Sequence, residues 1–564
     1  MKYKDLHYER TDIDKAKSFM NDVIIKFKNA RNGKEQIELI REVDNFSRDY
    51  ITYQAMANLN YSRNIHDVNF KSEKDFYDSI SSDIKEVYDN FNNVLHESKF
   101  KNDISEMYGD KFLEEIEIDL KTFDPKIKSL LQKEIELKNQ YTKLTAGAKI
   151  NFEGKEYNLA GLGPFHSHID RNMRKKSYEA RFGWFHSNES KLDNIYDRLV
   201  KLRHNIATAL GYPNFIKLGY DRMGRTDYGP KEVLNFRKQI IEHVVPVVTK
   251  LNNQKKKILG LETLYFYDGV NFKDGDPKPK GSPKDLVKAA QSMYRELSPE
   301  TGEFFDTMVN DQLMDLVNRA GKRPGGFCTS FPKYKRPYIF SNFNGTDHDI
   351  TVLTHEAGHA FQNYSSTHLP LVNYHWPTME AAEIHSMSME FFTWPWMKKF
   401  FKEDTKKFKY KHITSSLSFL PYGACVDHFQ HWVYENIEAS PKDRKRKWLE
   451  LESVYMPDKD YDGMIFAKDG GFWQGQLHIY QMPFYYIDYT LAQTCAFQFW
   501  IKNEKDSSLA WKNYLNLCRA GGSLSFVKLV NLAKLTSPFE EGCLQAVVSK
   551  VEKWLKNFDL DSLL

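Results

Sequence analysis

The chain has 564 residues, with 80 Lys and Arg against 76 Asp and Glu and a formal net charge of +4. A chain of this length exceeds one typical hydrophobic core, so we expect two or more lobes. Basic and acidic residues are interspersed, which leaves no basic patch of the kind that binds nucleic acid.

The five cysteines, at positions 328, 425, 495, 518 and 543, are widely spaced and include no Cys-x-x-Cys pair. They predict free thiols in a reducing compartment. The N-terminus has no apolar signal-peptide core, and no segment reaches the about 18 consecutive apolar residues of a membrane span. We therefore expect a soluble, cytoplasmic protein that binds neither nucleic acid nor a membrane.

Helical patterns dominate the chain from its start. Residues 13–145 place apolar side chains three and four positions apart, as in Ile37, Ile40 and Val43. Residues 274–283 form the clearest break; Thr263–Tyr267 before it predicts a short strand, and a helix should begin near Pro283. We predict three regions: an N-terminal helical lobe over 1–170, a helical region with short strands and a linker over 171–330, and a third region over 331–564.

A glycine pair and a strand pattern precede position 350. Gly325 and Gly326 let backbone approach a ligand closely. The alternating segment Tyr338–Phe343, which includes Phe340, predicts a strand that ends in the turn signal Asn344-Gly345. This strand could pair with an extended substrate through its backbone. An ordinary strand in a small sheet is the alternative.

The most informative motif is the run from His355 to His359, which reads His-Glu-Ala-Gly-His. Residues four apart on a helix lie one above the other, so both imidazoles can bind one ion. Catalytic zinc takes three protein ligands and a water whose pKa falls to about 7, and Glu356 is placed to take the proton of that water. Thr346 or Asp347 can cap the start of this helix.

Two candidate third ligands, Glu380 and Glu383, follow on one predicted helix. A metzincin needs a glycine and a third histidine where Gln362 and Ser365 stand, so that class is excluded. The thermolysin-like pattern needs an aspartate four residues after the ligand glutamate, and neither glutamate is followed by one. The remaining class of zinc protease takes its third ligand from a glutamate on a second helix. Here this glutamate is Glu383, 24 residues beyond His359, with a further acid seven residues later. Glu380 is the second candidate for the third ligand.

The segment Gly470–Tyr489 combines glycines with histidine and tyrosines. Pro483 is a natural first residue for the helix that follows, and Tyr486 and Tyr489 share one face of it. Phenol and imidazole groups are neutral donors for the oxyanion that forms in peptide hydrolysis. In a chain with 32 tyrosines, simple packing is the alternative.

These motifs resemble the thimet-oligopeptidase-like M3 metallopeptidases, and within them the oligoendopeptidase F and Pz-peptidase branch. The resemblance rests on Leu353–Phe361, on Ala382–Ser386 with Glu390, and on the His/Tyr cluster near residue 480. It implies one zinc ion per chain. The implied site residues are zinc ligands His355, His359 and Glu383, general base Glu356, oxyanion donors His478, Tyr486 and Tyr489, substrate contacts Gly325, Gly326, Phe340 and Tyr480, and imidazole-orienting acids Glu390 and Asp349.

The resemblance also implies a mainly α-helical, two-lobed metallopeptidase with a small β-sheet next to the zinc helix and a deep substrate channel between the lobes. It implies a zinc endopeptidase that hydrolyses internal bonds of unstructured oligopeptides by metal-activated water attack, with no obligate protein partner. One alternative is a peptide-binding protein with a degenerate protease fold, which would have lost Glu356 or a ligand; none is lost. The other is a zinc hydrolase of a non-peptide amide.

Overall fold

The structure, a computed structural model, describes residues 1–559. Most of these residues lie in α-helices, and the strands form two small sheets. The prediction of a mainly α-helical protein with a small sheet is confirmed. Within the described part of the chain, no helix combines the length and the apolar character that crossing a membrane requires.

The helices follow one another in this order: α1 (Ile13–Asn29), α2 (Gly33–Arg63), α3 (Val68–His96), α4 (Lys101–Tyr108), α5 (Asp110–Thr122), α6 (Lys128–Ala146), α7 (Gly163–His166), α8 (Arg171–Ala209), α9 (Phe215–Arg222), α10 (Pro230–Gln239), α11 (Val245–Leu259), α12 (Pro283–Leu297), α13 (Pro299–Asn310), α14 (His348–Ser366), α15 (Met379–Phe392), α16 (Lys398–Phe401), α17 (Thr405–Glu435), α18 (Pro441–Tyr455), α19 (Ile465–Lys468), α20 (Leu477–Gln481), α21 (Tyr486–Lys505), α22 (Ser507–Ala520), α23 (Phe526–Leu532) and α24 (Cys543–Lys556). The strands are β1 (Ile150–Phe152), β2 (Lys155–Tyr157), β3 (Met314–Val317), β4 (Phe327–Phe331) and β5 (Arg336–Phe343).

The chain packs into two compact units, as the predicted two lobes require, and each unit is built from discontinuous segments. Unit 1 comprises Met1–Lys121, Lys278–Thr405 and Cys495–Thr536. Unit 2 comprises Thr122–Pro277, Lys406–Thr494 and the described residues from Ser537 to 559. The predicted region limits at 170 and 330 do not coincide with these boundaries, because the chain returns to each unit more than once.

In unit 1, β5 is the central strand of a three-stranded sheet. The order is β3–β5–β4, with β5 parallel to β3 and antiparallel to β4. The predicted strand Tyr338–Phe343 is confirmed, and it begins two residues earlier, at Arg336. Because β5 pairs with β4 over Arg336–Phe340 and with β3 over Ile339–Phe343, much of its backbone is used in the two ladders. This arrangement favours the second alternative from the sequence, an ordinary strand in a small sheet.

Asp349 stabilises the turn that leads from β5 into α14. Its carboxylate accepts hydrogen bonds from the backbone N–H groups of Asn344, at 2.9 Å, and Gly345, at 2.8 Å. Asp347 precedes the helix as predicted, but its side chain makes no capping hydrogen bond. The Thr346 hydroxyl donates to the Asn344 side chain instead. Both oxygens of Asp349 serve this turn, so we assign it to the turn rather than to a ligand imidazole.

In unit 2, the segment Thr263–Tyr267 is a loop, and the prediction of a strand there is wrong. The Asp268 carboxylate accepts hydrogen bonds from Arg171, at 2.7 Å, and from Arg174, at 2.9 Å. Arg171 also donates to the Thr263 carbonyl at 2.8 Å and Arg174 to the Tyr267 carbonyl at 3.0 Å, so these two backbone groups are satisfied without a strand partner. The predicted helix start near Pro283 is confirmed by α12.

The buried guanidinium of Arg203, on α8, connects three parts of unit 2. It donates to the Glu134 carboxylate of α6 at 2.7 Å and to the backbone carbonyl of Tyr480 in α20 at 2.6 Å. Arg222 donates to the other Glu134 oxygen at 3.1 Å. Burial raises the pKa of Glu134, but the charges of both arginines outweigh it and lower that pKa to about 2. The network holds α20, the helix that carries His478.

Replacement of Glu134 by Gln should destabilise the protein by about 3–5 kcal/mol at neutral pH, because the charge of Arg203 then stays buried without its acidic partner. The folded-state pKa is depressed from 4.5 to about 2, so the charge of Glu134 stabilises the fold above pH 4.5 and this contribution is lost as the pH falls towards 2. Denaturant unfolding of both proteins at several pH values measures the effect.

The exposed Glu136, on the same helix, provides the matched control Glu136→Gln. An equal loss of stability in the two variants, or a difference between Glu134→Gln and the parent that persists at low pH, would contradict the role of this ion pair.

Candidate metal centre

Helices α14 and α15 bring two imidazoles and one carboxylate together. His355 and His359 lie one turn apart on α14, with ring centroids 5.0 Å apart. Glu383 Oε2, on α15, lies 3.3 Å from His355 Nε2 and 3.6 Å from His359 Nε2. The three candidate ligand atoms lie within 4.8 Å of one another. Glu380 is buried on the same helix but does not belong to this cluster.

This donor set fits a zinc ion. Zinc binds imidazole nitrogen and carboxylate oxygen at about 2.0–2.2 Å, and the corners of a tetrahedron of that size lie about 3.3–3.6 Å apart. The two distances from Glu383 Oε2 fall in this range. The Ser386 hydroxyl donates to the same oxygen at 3.0 Å and orients it. Of the two candidate acids, Glu383 has the geometry of a third ligand.

Gly358 allows the two ligand helices to approach closely. A Cβ atom at this position would lie 2.5 Å from the carbonyl oxygen of His385 and 2.7 Å from the Cα of Ser386. Such distances are too short for non-bonded atoms, so only glycine fits between the helices here. The sequence analysis gave Gly358 no role; a glycine inside a helical pattern was the available signal.

Glu390 binds the second ring nitrogen of His355. His355 Nδ1 lies 2.7 Å from Glu390 Oε1. Donation of the Nδ1 proton to this carboxylate leaves the lone pair on Nε2, the atom nearest Glu383. Glu390 therefore lies where an imidazole-orienting acid was expected.

The charges in this cluster are strongly coupled. Burial lowers the pKa of His355, but its hydrogen bonds to Glu383 and Glu390 outweigh burial and raise that pKa well above the usual value. Burial raises the pKa of Glu383, but the His355 hydrogen bond and the histidine charges lower it to about 2. Burial lowers the pKa of His359 to about 4, so this imidazole keeps its lone pair at neutral pH.

Glu356 is a buried acid beside the cluster. Its side chain is 6% exposed, and among the described residues no donor reaches its Oε2 atom. Burial is the largest influence and raises its pKa to about 7, although the charge of His355 acts in the opposite direction. A carboxyl group with this pKa can take up and release a proton near neutral pH.

The glycine pair leads into the edge strand β4, close to Glu356. Gly325 has φ +99°, a conformation that favours glycine, and a Cβ at Gly326 would lie 3.5 Å from Glu356 Oε1. Among the described strands, β4 pairs only with β5, and its first three residues are half-buried. Phe340 is fully buried and its ring stacks on Phe327, so its surroundings do not support a substrate contact.

In unit 2, three of the predicted residues form one cluster. The ring centroid of His478 lies 5.0 Å from that of Tyr486 and 5.8 Å from that of Tyr489, and the two tyrosine rings are 5.6 Å apart. All three side chains are half-buried. Helix α21 begins at Tyr486, so Pro483 lies in the preceding turn and not at the predicted first position of the helix.

Gln476 determines which nitrogen of His478 carries the proton. The Tyr422 hydroxyl donates to Gln476 Oε1 at 2.8 Å, and burial keeps the pKa of this phenol well above its usual value. The amide nitrogen of Gln476 then donates to His478 Nδ1 at 2.7 Å. Since Nδ1 accepts, the proton lies on Nε2. The sequence analysis missed Gln476, whose only signal was a polar residue near His478 in a glycine-rich segment.

Tyr480 lies in the core of unit 2. Its side chain is fully buried, its ring stacks on Tyr141 with centroids 3.9 Å apart, and its hydroxyl donates to the Leu192 carbonyl. The predicted substrate contact of Tyr480 is not supported by these surroundings, and we leave it out of the candidate site.

Two family models match the chain. Peptidase family M3 matches residues 165–549, and the Peptidase M3 N-terminal domain matches residues 3–123. The chain therefore belongs to peptidase family M3.

Two solved structures are similar to this chain over nearly their whole length. Pz peptidase A with inhibitor 2 is 48% identical, with a TM-score of 0.94, and the match covers 99% of this chain and 100% of that one. A candidate oligoendopeptidase F from Bacillus anthracis str. Ames is 45% identical, with a TM-score of 0.90 and coverage of 100% and 99%. Within family M3, the chain lies in the oligoendopeptidase F and Pz-peptidase branch.

A more distant relative is the oligoendopeptidase F homolog of Borreliella burgdorferi (strain ATCC 35210 / DSM 4680 / CIP 102532 / B31). It is 23% identical over 371 residues, which are 63% of this chain. The matched region spans 60% of the length of that relative.

Replacement of Gly358 by Ala should force α14 and α15 apart. We expect a loss of about 1–3 kcal/mol in the free energy of unfolding, as for other overpacked sites, together with weaker zinc binding. Denaturant unfolding and zinc titration measure the two effects. Gly183→Ala, in α8, is the control, because a Cβ there meets no atom within 4 Å and the change should be neutral or stabilising. Unchanged zinc affinity in Gly358→Ala would contradict the proposed spacing role.

The choice between the two candidate acids can be tested with isosteric variants. Loss of a residue that only hydrogen-bonds a metal ligand weakens metal binding by about 10- to 100-fold. Glu383→Gln should weaken zinc binding by more than this. Glu380→Gln should retain one zinc per chain. Metal content after dialysis, measured by mass spectrometry, distinguishes the two. Loss of zinc from Glu380→Gln alone would show that the third ligand has been assigned to the wrong acid.

Proposed function

We propose that this chain is a zinc-dependent endopeptidase that hydrolyses internal peptide bonds of unstructured oligopeptides and holds one zinc ion per chain. The observation that carries the proposal is the convergence of His355, His359 and Glu383 on one point, with Glu356 next to His355 on the same helix. Membership of peptidase family M3 and the similarity to Pz peptidase A favour the same class of reaction.

When bound, a zinc ion supplies a Lewis acid that polarises a carbonyl group and lowers the pKa of water to about 7. Glu356 takes the proton from the attacking water and later gives it to the leaving amine. Positive charge at the centre lowers the pKa of Glu356 and keeps the carboxylate ionised before the reaction. Glu390 holds His355 in the orientation that binding requires.

The open edge of β4 suits an extended peptide. A substrate strand added to this edge would gain backbone hydrogen bonds, and Gly325 and Gly326 allow it to pass close to Glu356. This mode favours unstructured peptides, because the backbone of a folded protein is already paired. The channel between lobes and the cytoplasmic location stay predictions.

The proposal includes His478, Tyr486 and Tyr489 as neutral donors to the oxyanion that forms during attack. Its support is the Gln476 hydrogen bond, which leaves the proton of His478 on Nε2. Burial raises the pKa of Tyr486, so that this phenol keeps its proton. One donor of this kind contributes about 3–4 kcal/mol to the transition state of other hydrolases.

Replacement of Glu356 by Gln should lower turnover of an internally quenched, unstructured oligopeptide by about 100- to 10,000-fold, because the base is lost while the amide keeps the same shape. Zinc content should stay at one per chain. The parent enzyme should lose activity on treatment with a chelator and regain it with added zinc.

Glu136→Gln, an exposed change in unit 2, is the control and should leave both activity and zinc content unchanged. Full activity of Glu356→Gln would exclude it as the base, and cleavage by the metal-free parent protein would refute the zinc mechanism.

A further inference from the structure

Unit 2 contains a cavity of about 650 Å³ to which the proposed function assigns no role. Its wall includes residues of α8 and α11, the loop 264–269, and residues 455–459 and 466–476. Much of the wall is aromatic, from Tyr178, Phe182, Phe185, Phe266 and Phe472. Three cationic side chains, those of Arg181, Lys255 and Lys459, also line it. The cavity thus combines apolar surface with positive charge.

Arg181 lies in this wall without an acidic partner. Its guanidinium lies over the Phe185 ring, 5.3 Å from the centroid. Of the described residues, none offers it a carboxylate at ion-pair distance, and burial lowers its pKa. Arg181 is half-buried, so its guanidinium is partly withdrawn from water without a counter-charge; this costs free energy, part of which an anionic ligand would recover.

Of the other charged side chains in the wall, all but Lys255 are either paired with an opposite charge or exposed to solvent. Asp268 is held by the two α8 arginines described above, and Asp458 is exposed at the rim. Lys459 pairs with Glu452 at 3.2 Å. Lys255 has no carboxylate within ion-pair distance among residues 1–559, and burial lowers its pKa to about 8. Among the described residues of the wall, Arg181 and Lys255 are therefore the two cations that no carboxylate pairs with.

The cavity adjoins the His478 cluster. Tyr422 and Gln476 belong to its wall, and they form the hydrogen-bonded chain that ends on His478. The Tyr422 ring also meets the Tyr486 ring edge-on, with centroids 5.7 Å apart. A ligand in the cavity would thus contact side chains that position the proposed oxyanion donors.

We propose that this cavity binds a carboxylate of the peptide substrate, with Arg181 as its principal partner and Lys255 as a second positive charge. The planar guanidinium matches a carboxylate through two parallel N–H bonds, and the aromatic wall accommodates apolar side chains beside it. The carboxylate can come from the C-terminus of the peptide or from an acidic side chain. This inference rests on the proposed peptidase function and makes Arg181 a determinant of substrate choice.

The test compares three internally quenched peptides of one core sequence: a free C-terminal acid, its C-terminal amide, and an amide with one added glutamate. The parent enzyme should cleave the acid about 10- to 100-fold more efficiently than the amide, in kcat/KM. Arg181→Met should lose this preference and cleave the amide as the parent does. Arg198→Met, exposed on the same helix, is the control and should keep the preference.

The glutamate peptide identifies the source of the carboxylate. Preference for it over the plain amide assigns the site to acidic side chains as well, whereas preference for the free acid alone assigns it to the C-terminus. Equal cleavage of all three peptides by the parent, or an equal loss on all three in Arg181→Met, would overturn the proposal.

Binding provides a readout that is independent of turnover. Calorimetry on full-length Glu356→Gln should give tighter binding of the acid than of the amide, and the double variant with Arg181→Met should bind both equally. If the parent cleaves none of the peptides while this binding preference persists, the peptidase proposal fails and the carboxylate site stands. If cleavage occurs and the binding difference is absent, the carboxylate site fails alone.

Discussion

The candidate metal centre depends on the close contact between α14 and α15. Because Gly358 has no side chain, the backbone of His385 and Ser386 occupies the space that a Cβ would fill. The same His385 carbonyl accepts a hydrogen bond from Tyr514 of α22 at 2.8 Å, so this part of α15 is held from two sides. At this separation one oxygen of Glu383 reaches both imidazoles. If the two helices were further apart, Glu383 would no longer lie close enough to His355 and His359 for the three side chains to share one ion.

Negative charge exceeds positive charge at this centre. Three carboxyl groups lie beside the two imidazoles: those of Glu356 and Glu383 are buried, and that of Glu390 is half-buried. In the absence of another cation, a proton on His355 offsets part of this charge, which is why its pKa is raised. Binding of a divalent cation and loss of that proton are therefore coupled. Acids withdrawn from water favour a cation over a neutral ligand, and a bound cation would offset their cost to stability.

Two arginines of α8 differ in their partners: the charge of Arg203 is paired within the fold, whereas that of Arg181 is available to a ligand. Arg203 is fully buried, and its donors reach a carboxylate, a phenol and a backbone carbonyl. Its charge is compensated within the fold, and it holds α20 in place. Arg181 lies about six turns earlier on the same helix, beside an aromatic ring and a cavity. The difference lies in their partners, since the residue type and the helix are the same.

The sequence by itself determined the features that depend on local geometry. Helical periodicity places His355 and His359 on one face with Glu356 beside them, and the alternation of residues 338–343 specifies a strand. The resemblance ranked Glu383 before Glu380, and only the tertiary structure shows which of them lies near the imidazoles, because this depends on the rotation of α15 against α14. The tertiary structure also decided that β5 is central and β4 is the edge, which follows from the strand order. Hydrogen bonds between distant segments, such as the one from Tyr422 to Gln476, leave no periodic signal in the sequence. Only the tertiary structure shows them, because folding brings their partners together.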